Sequence, residues 1–228
     1  MQKSIQLLSI AAAGLAACLA STSVFAQAAG TWSARGGATR ITPQVDSGTL
    51  SAPSPKGTTT SVGADTQPTG GVTYMWTDNI ALDAPLGLGF KHKLFGEGAL
   101  AGVGQIGTTS VLPATLDVQY RFGEAKAQFR PYVKLGLTYA YFFESEGSAA
   151  LNSMNPLNPV GGNTSLETKS KLALSPGLGL VFAFGDKYFA DVSVGKTFLK
   201  TTTTFSTGQK LDITLNPVAV SLGVGVRF

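Results

Sequence analysis

The sequence predicts an all-β protein: an eight-stranded antiparallel transmembrane β-barrel with short periplasmic turns and long extracellular loops. Three observations carry that expectation. Apolar residues alternate with small or polar ones in segment after segment, the period of a strand with one greasy face. Tight turns alternate with long polar connections. The chain opens on an export signal and closes on an aromatic strand, "NPVAVSLGVGVRF". No apolar run beyond residue 26 is long enough for a membrane helix.

Residues 1–26, "MQKSIQLLSIAAAGLAACLASTSVFA", have a basic start, a short apolar stretch and a small-residue cleavage site before Gln27. They read as a signal peptide, leaving residues 27–228 as the barrel. The rival is "LAAC" at 15–18, which resembles the lipobox before a lipid-modified cysteine. Cleavage after Ala26 removes Cys18, the only cysteine, so no disulfide and no thiol chemistry is expected of the exported chain. The formal net charge is +4, with no basic cluster interleaved with aromatics, so no nucleic-acid partner is expected.

Eight strands follow in order, at about 31–41, 68–77, 79–90, 109–122, 129–143, 169–184, 187–199 and 210–228. "TDN" at 77–79, "GEAKAQ" at 123–128 and "GDK" at 185–187 are the tight turns. Segments 42–67, 91–108 and 144–168 are long loops, and 200–209 is a shorter one. An even strand number puts both termini at the short-turn, periplasmic end.

One face of these strands is apolar: Ile80 through Phe90, Leu112 through Phe122, Val133 through Phe143, each counted in twos. Its aromatics fall near strand ends, as interfacial girdles do. The other face holds Arg35, Asp83, Asp117, Arg121, Arg130, Lys134, Asp191 and many glycines. A soluble sandwich shows the same alternation. The export signal, the loop asymmetry and the terminal Phe228 favour a closed barrel in lipid, the sheet that leaves no backbone edge unpaired in a membrane. Eight strands enclose a narrow lumen, wide enough for side chains or one small ligand.

At this point a family is visible. "YMWTDNIALDAPLGLGFKHK" (74–93), "LPATLDVQYRFG" (112–123) and "RPYVKLGLTYAYFF" (130–143) resemble the OmpW family. Trp32, Arg35, Gly36 and Pro43 resemble its opening, and the C-terminal strand its close. The resemblance implies an outer-membrane barrel of a Gram-negative bacterium, with a narrow, mostly apolar channel linked to uptake or efflux of small hydrophobic molecules. It implies outer-membrane lipid and lipopolysaccharide around the belt. It also implies that Phe228 is the signal read by the barrel-assembly machinery.

Enzymatic chemistry finds little support. His92 is the only histidine and reads as a solvent-facing loop residue. No Cys/His cluster offers a metal site, no cofactor is expected, and a Ser–His–Asp arrangement would rest on His92 alone. "GVGQIG" at 102–107 matches G-x-G-x-x-G but leads into a strand, so it reads as a glycine-rich loop rather than a dinucleotide site.

Inward parity divides the lumen. At the loop end it gives Ile41, Val111, Phe142 and Leu199, and also Ile213 and Leu215 if register holds above Pro217. These form an expected apolar vestibule. At the turn end it gives Asp83, Asp117, Arg121, Arg130 and Asp191, with Arg35 and Lys134: an expected ionic plug. Ordinary barrel packing would produce the same division. A solute that enters the vestibule but cannot cross the plug must leave sideways into lipid. Two functions fit: a channel or binding conduit for small hydrophobic molecules, or a non-transporting structural or receptor barrel displaying loops to phage, toxin or host.

Overall fold

The computed structural model describes residues 27–228 apart from 53, 55, 150 and 152–163. The export signal, its cleavage site and Cys18 lie outside the described residues.

Eight staves close the barrel. They are β1 (Trp32–Thr42), β4 (Asp65–Met75), a broken stave made of β5 (Ile80–Gly87) and β6 (Phe90–Gly98), then β7 (Gln105–Arg121), β8 (Phe129–Gly147), β10 (Lys171–Phe184), β11 (Tyr188–Lys196) and β14 (Val218–Arg227). All neighbours are antiparallel. β1 closes on β14 from Ser33↔Arg227 to Thr42↔Val218. Phe228 extends the seam: its N–H donates to the Trp32 carbonyl at 2.8 Å, and the Trp32 N–H to its carbonyl at 3.0 Å.

The outward face is apolar because successive side chains alternate across the sheet. Leu86, Leu116, Leu135, Leu137, Leu178, Leu222 and Val224 are exposed, as a lipid belt requires. Aromatics rim both ends. Trp32 and Tyr74 pack with centroids 4.8 Å apart, as do Phe129 and Phe182 at the turn end. Tyr141 and Phe143 stack at 5.9 Å at the loop end.

Above the belt, four short strands form a second sheet in the order β2 (Asp46–Ser47), β13 (Lys210–Thr214), β12 (Lys200–Phe205), β9 (Leu166–Thr168). β3 (Thr58–Val62) adds to the outer end of β6. The structure therefore differs from the sequence reading at the loop end. Segment 91–108 is mostly strand, and 42–67 holds three strand pieces. The last segment is two strands separated by Leu215–Pro217, where the proline lacks a ladder donor. The "GVGQIG" stretch is a turn with Gly102 and Gly104 at positive φ, running into β7.

The parity expectation for Phe90 and the loop reading of His92 also fail, for one reason. Pairing of β5 with β7 ends at Asp83↔Asp117, and pairing of β6 with β7 begins at Phe90↔Val111. The broken stave spends one residue more than β7 in crossing that interval, and an extra residue reverses the faces beyond it. Phe90 is thus buried in the lumen, not set against lipid, and His92 is buried rather than solvent-facing.

Candidate functional site

The lumen is layered. At its outer end a cavity of about 90 Å³ is lined by Ile41, Val111, Phe142, Leu199, Ile213 and Leu215, the residues that inward parity places there. Two apolar clusters wall it. Ile41, Phe90, Val111, Ala140, Ala173 and Leu199 form the lower one. Ile106, Leu151, Leu166, Phe205, Leu211 and Ile213 form the upper one, four of whose members come from the loop sheet. Leu215 touches both. Sequence parity gives no access to Ile106, Leu166 or Phe205, because they lie in segments that read as loops or loop edges.

His92 lines this cavity between the exposed Lys91 and Lys93, above the lipid belt. Its Nδ1 is 2.7 Å from the Gly63 carbonyl oxygen. Burial holds the imidazole below its ordinary range, and the Gly63 bond and the nearby Asp65 charge only partly oppose that.

Beneath the vestibule lies a layer of hydroxyls that the two-part sequence reading lacks. Thr39 is 2.8 Å from both Thr69 and Ser221. A second run, Thr115–Thr138–Ser175–Thr197, is linked at 2.7–2.8 Å. All have inward parity, so the signal was present in the residues. A hydroxyl can both donate and accept, so each run links its members without charge.

The third layer is ionic, and it divides in two. Mid-barrel, Arg35 grips Asp83 in a fork, Nη1–Oδ1 2.5 Å and Nη2–Oδ2 2.8 Å, and Thr73 donates to the same carboxylate at 2.6 Å. Lys134 Nζ meets Asp117 Oδ2 at 2.8 Å. The Tyr132 hydroxyl donates to Asp191 at 3.0 Å. Gly136 and Gly71 make room: a Cβ on Gly136 would lie 2.1 Å from Asp117, and one on Gly71 2.7 Å from the Arg35 guanidinium. At the base, Arg121 and Arg130 pair with no acid. Arg121 donates to Gln119 and to Gln27 Oε1 at 2.7 Å. Arg130, fully buried, donates to five backbone carbonyls, those of Gln27, Asp78, Arg121, Phe122 and Gly123. The plug is thus two salt bridges and a tyrosine–aspartate bond over a pair of arginines that tie the turns together. Tyr132 was legible between the inward Arg130 and Lys134. Gln27 was not, since it stands outside any strand.

The wall beside these layers is incomplete. Between Asp83↔Asp117 and Phe90↔Val111 no ladder joins the broken stave to β7, although β5 stays paired with β4 as far as Gly87↔Thr69, and β7 with β8 throughout the same stretch. Pro113, in the middle of the interval, has no N–H to give. A second cavity of about 130 Å³ reaches the interval. Pro85, Leu86, Gly87, Phe90, Leu112 and Pro113 line it there, and it shares Ile41, Pro113 and Thr138 with the vestibule.

A barrel with this wall and these layers has known relatives. The model of the OmpW family matches residues 28–228. The chain belongs to the OmpW family. Outer membrane protein W of Vibrio cholerae serotype O1 is 32% identical over 216 residues, covering 93% of this chain and 95% of that protein. Outer membrane protein AlkL of Ectopseudomonas oleovorans is 26% identical over 171 residues, 74% of this chain and 68% of that one. Among solved structures, the crystal structure of OprG from Pseudomonas aeruginosa superposes with a TM-score of 0.78 at 24% identity, over 88% of this chain and 97% of that one. The solution structure of E. coli outer membrane protein W gives a TM-score of 0.56 at 26% identity, over 88% and 99%. This OmpW-family barrel is an outer-membrane protein, and its apolar belt is its lipid contact.

Proposed function

We propose that this barrel is a conduit for small hydrophobic molecules, which enter the vestibule from the outside and leave through the wall into the membrane. The observation that carries the reading is the unladdered interval between the broken stave and β7, lying beside a second cavity that shares Ile41, Pro113 and Thr138 with the vestibule. An apolar solute gains about 25 cal/mol for each Å² it buries in the vestibule. Passage toward the turn end would require breaking desolvated ion pairs, which is costly. The sideways path is lined at the interval by Leu86, Leu112 and two prolines, with the Phe143 ring lying against Gly89. On this reading Phe228 engages the assembly machinery, lipid and lipopolysaccharide surround the belt, and no side chain performs a chemical step.

The test follows from the residue count. Deleting Gly89 makes the broken stave equal to β7 across the interval and keeps Phe90 inward, so the ladder is free to zip shut. Uptake of an apolar solute into liposomes should fall while heat-modifiable gel mobility still reports a folded barrel. A folded deletion variant with parental uptake would defeat the lateral route. The receptor reading has its own support in the ordered four-stranded loop sheet, and that outcome would put it ahead.

A further inference from the structure

The base of the lumen holds a residue that belongs to no strand. Gln27 is 2% exposed. Its backbone N–H donates to the Ala125 carbonyl at 2.9 Å. Its Oε1 accepts from Arg121 at 2.7 Å, and its carbonyl oxygen accepts from Arg130 at 3.1 Å. Its Nε2 is buried and has no hydrogen-bond partner among the described residues. An unsatisfied buried amide nitrogen is costly, and here the cost falls on one atom of one side chain.

Residue 27 is also the first residue left by cleavage after Ala26. A free amino terminus there would be an ammonium with three hydrogens facing one acceptor. The two charged side chains bonded to Gln27 are both cations. Neither feature suits a third positive charge out of water.

We propose that the amino terminus of the exported chain is a pyroglutamyl ring formed from Gln27, and that this ring seals the periplasmic base of the barrel. The α-amine lone pair attacks Cδ of the same residue's carboxamide. The N–Cδ bond forms, the Cδ–Nε2 bond breaks, and Nε2 departs as ammonia with one hydrogen from the α-nitrogen. No other reactant is needed. The lactam keeps the one N–H that Ala125 accepts and the Oε1 that Arg121 holds. It removes the orphaned Nε2 and the positive charge together.

The inference rests on cleavage between Ala26 and Gln27, and one measurement separates the two. Mass spectrometry of the N-terminal peptide, from protein extracted cold from outer membranes, should find a chain that begins at residue 27, lighter by one ammonia than the open form and resistant to amine labelling. A chain beginning at residue 27 with a labelled free amine would overturn ring formation alone. A chain beginning elsewhere would overturn both. Gln27→Asn keeps the carboxamide but would need a four-membered ring, so it should retain a free amine and lose the folded gel form at a lower temperature than the parent. Equal heat resistance would show that the ring seals nothing.

Discussion

The two ends of one lumen obey the same alternation and are built from opposite materials. At the top, inward side chains are apolar, the walls come from two sheets, and a cavity remains. At the base, inward side chains are charged and tied by short bonds: Arg35 to Asp83, Lys134 to Asp117, Arg130 to five carbonyls. Apolar surfaces tolerate a void between them because nothing there goes unbonded. The mid-barrel ionic residues also border space, since Arg35, Asp117, Lys134 and Asp191 line part of the second cavity, but there each charge taken from water is held by a partner. The comparison teaches that the open apolar end and the bonded charged end of this barrel are set by what occupies inward positions.

That contrast is open to direct attack. The largest effect is expected from Asp83→Leu, which strands the Arg35 guanidinium in the lumen. Urea unfolding in bilayers should show a loss of about 3–5 kcal/mol, the usual cost of breaking a buried pair. The double variant Arg35→Met with Asp83→Leu should recover most of it. If the double variant is as weak as the single, the pair does more than neutralise itself.

Val224→Arg tests the outward face. Val224 is 62% exposed in the middle of β14, so an arginine there should cost roughly 2–4 kcal/mol. Parity alone would suggest Gly225→Ser as the mild lumen control. The structure advises against it, because a Cβ on Gly225 would sit 2.4 Å from the Phe189 ring. Ser221→Ala, in the hydroxyl layer, is the better control and should cost about 1 kcal/mol. Equal losses for Val224→Arg and Ser221→Ala would contradict the register.

A smaller change is expected from Gly136→Ala, which crowds Asp117 away from Lys134. Overpacking of this kind costs about 1–3 kcal/mol. A wild-type unfolding midpoint would mean that Asp117 moves aside freely.

The smallest effect belongs to His92. Burial favours its neutral form in the folded protein, so the unfolded chain takes up the proton first as pH falls. Its contribution is present above the unfolded imidazole's range and is lost as pH drops through it. Amide protection in β6 and the outer part of β7 should therefore weaken from about pH 8 to about pH 5. His92→Gln should flatten that dependence, and an unchanged slope would assign it to another group.

Much of this was legible in the residues. Strand number, the lipid belt and the positions of Ile41, Val111 and Phe142 follow from a period of two, which survives wherever a ladder is continuous. It failed at Phe90 because a single extra residue in an unladdered interval reverses every face beyond it, and no local signal marks that residue; His92, read as a loop residue, lies in the strand that continues past that interval. It failed at Gln27 because a plug residue outside the strands has no period at all. Arg121 and Arg130, expected as members of an ionic plug, are buried at inward positions. Their partners are an amide side chain and backbone carbonyls, which sequence parity does not display.

The claim at the centre is that the apolar end carries the solute, and Phe142→Asp tests it most directly. Phe142 packs on the lower apolar cluster and lines the vestibule. Replacing the ring by a carboxylate removes apolar wall and puts a charge in its place, which should weaken apolar solute binding by about tenfold, or about 1.4 kcal/mol. Uptake of an apolar solute into liposomes should fall by that order in a variant that still shows heat-modifiable mobility. Parental uptake by the folded Phe142→Asp barrel would contradict the account.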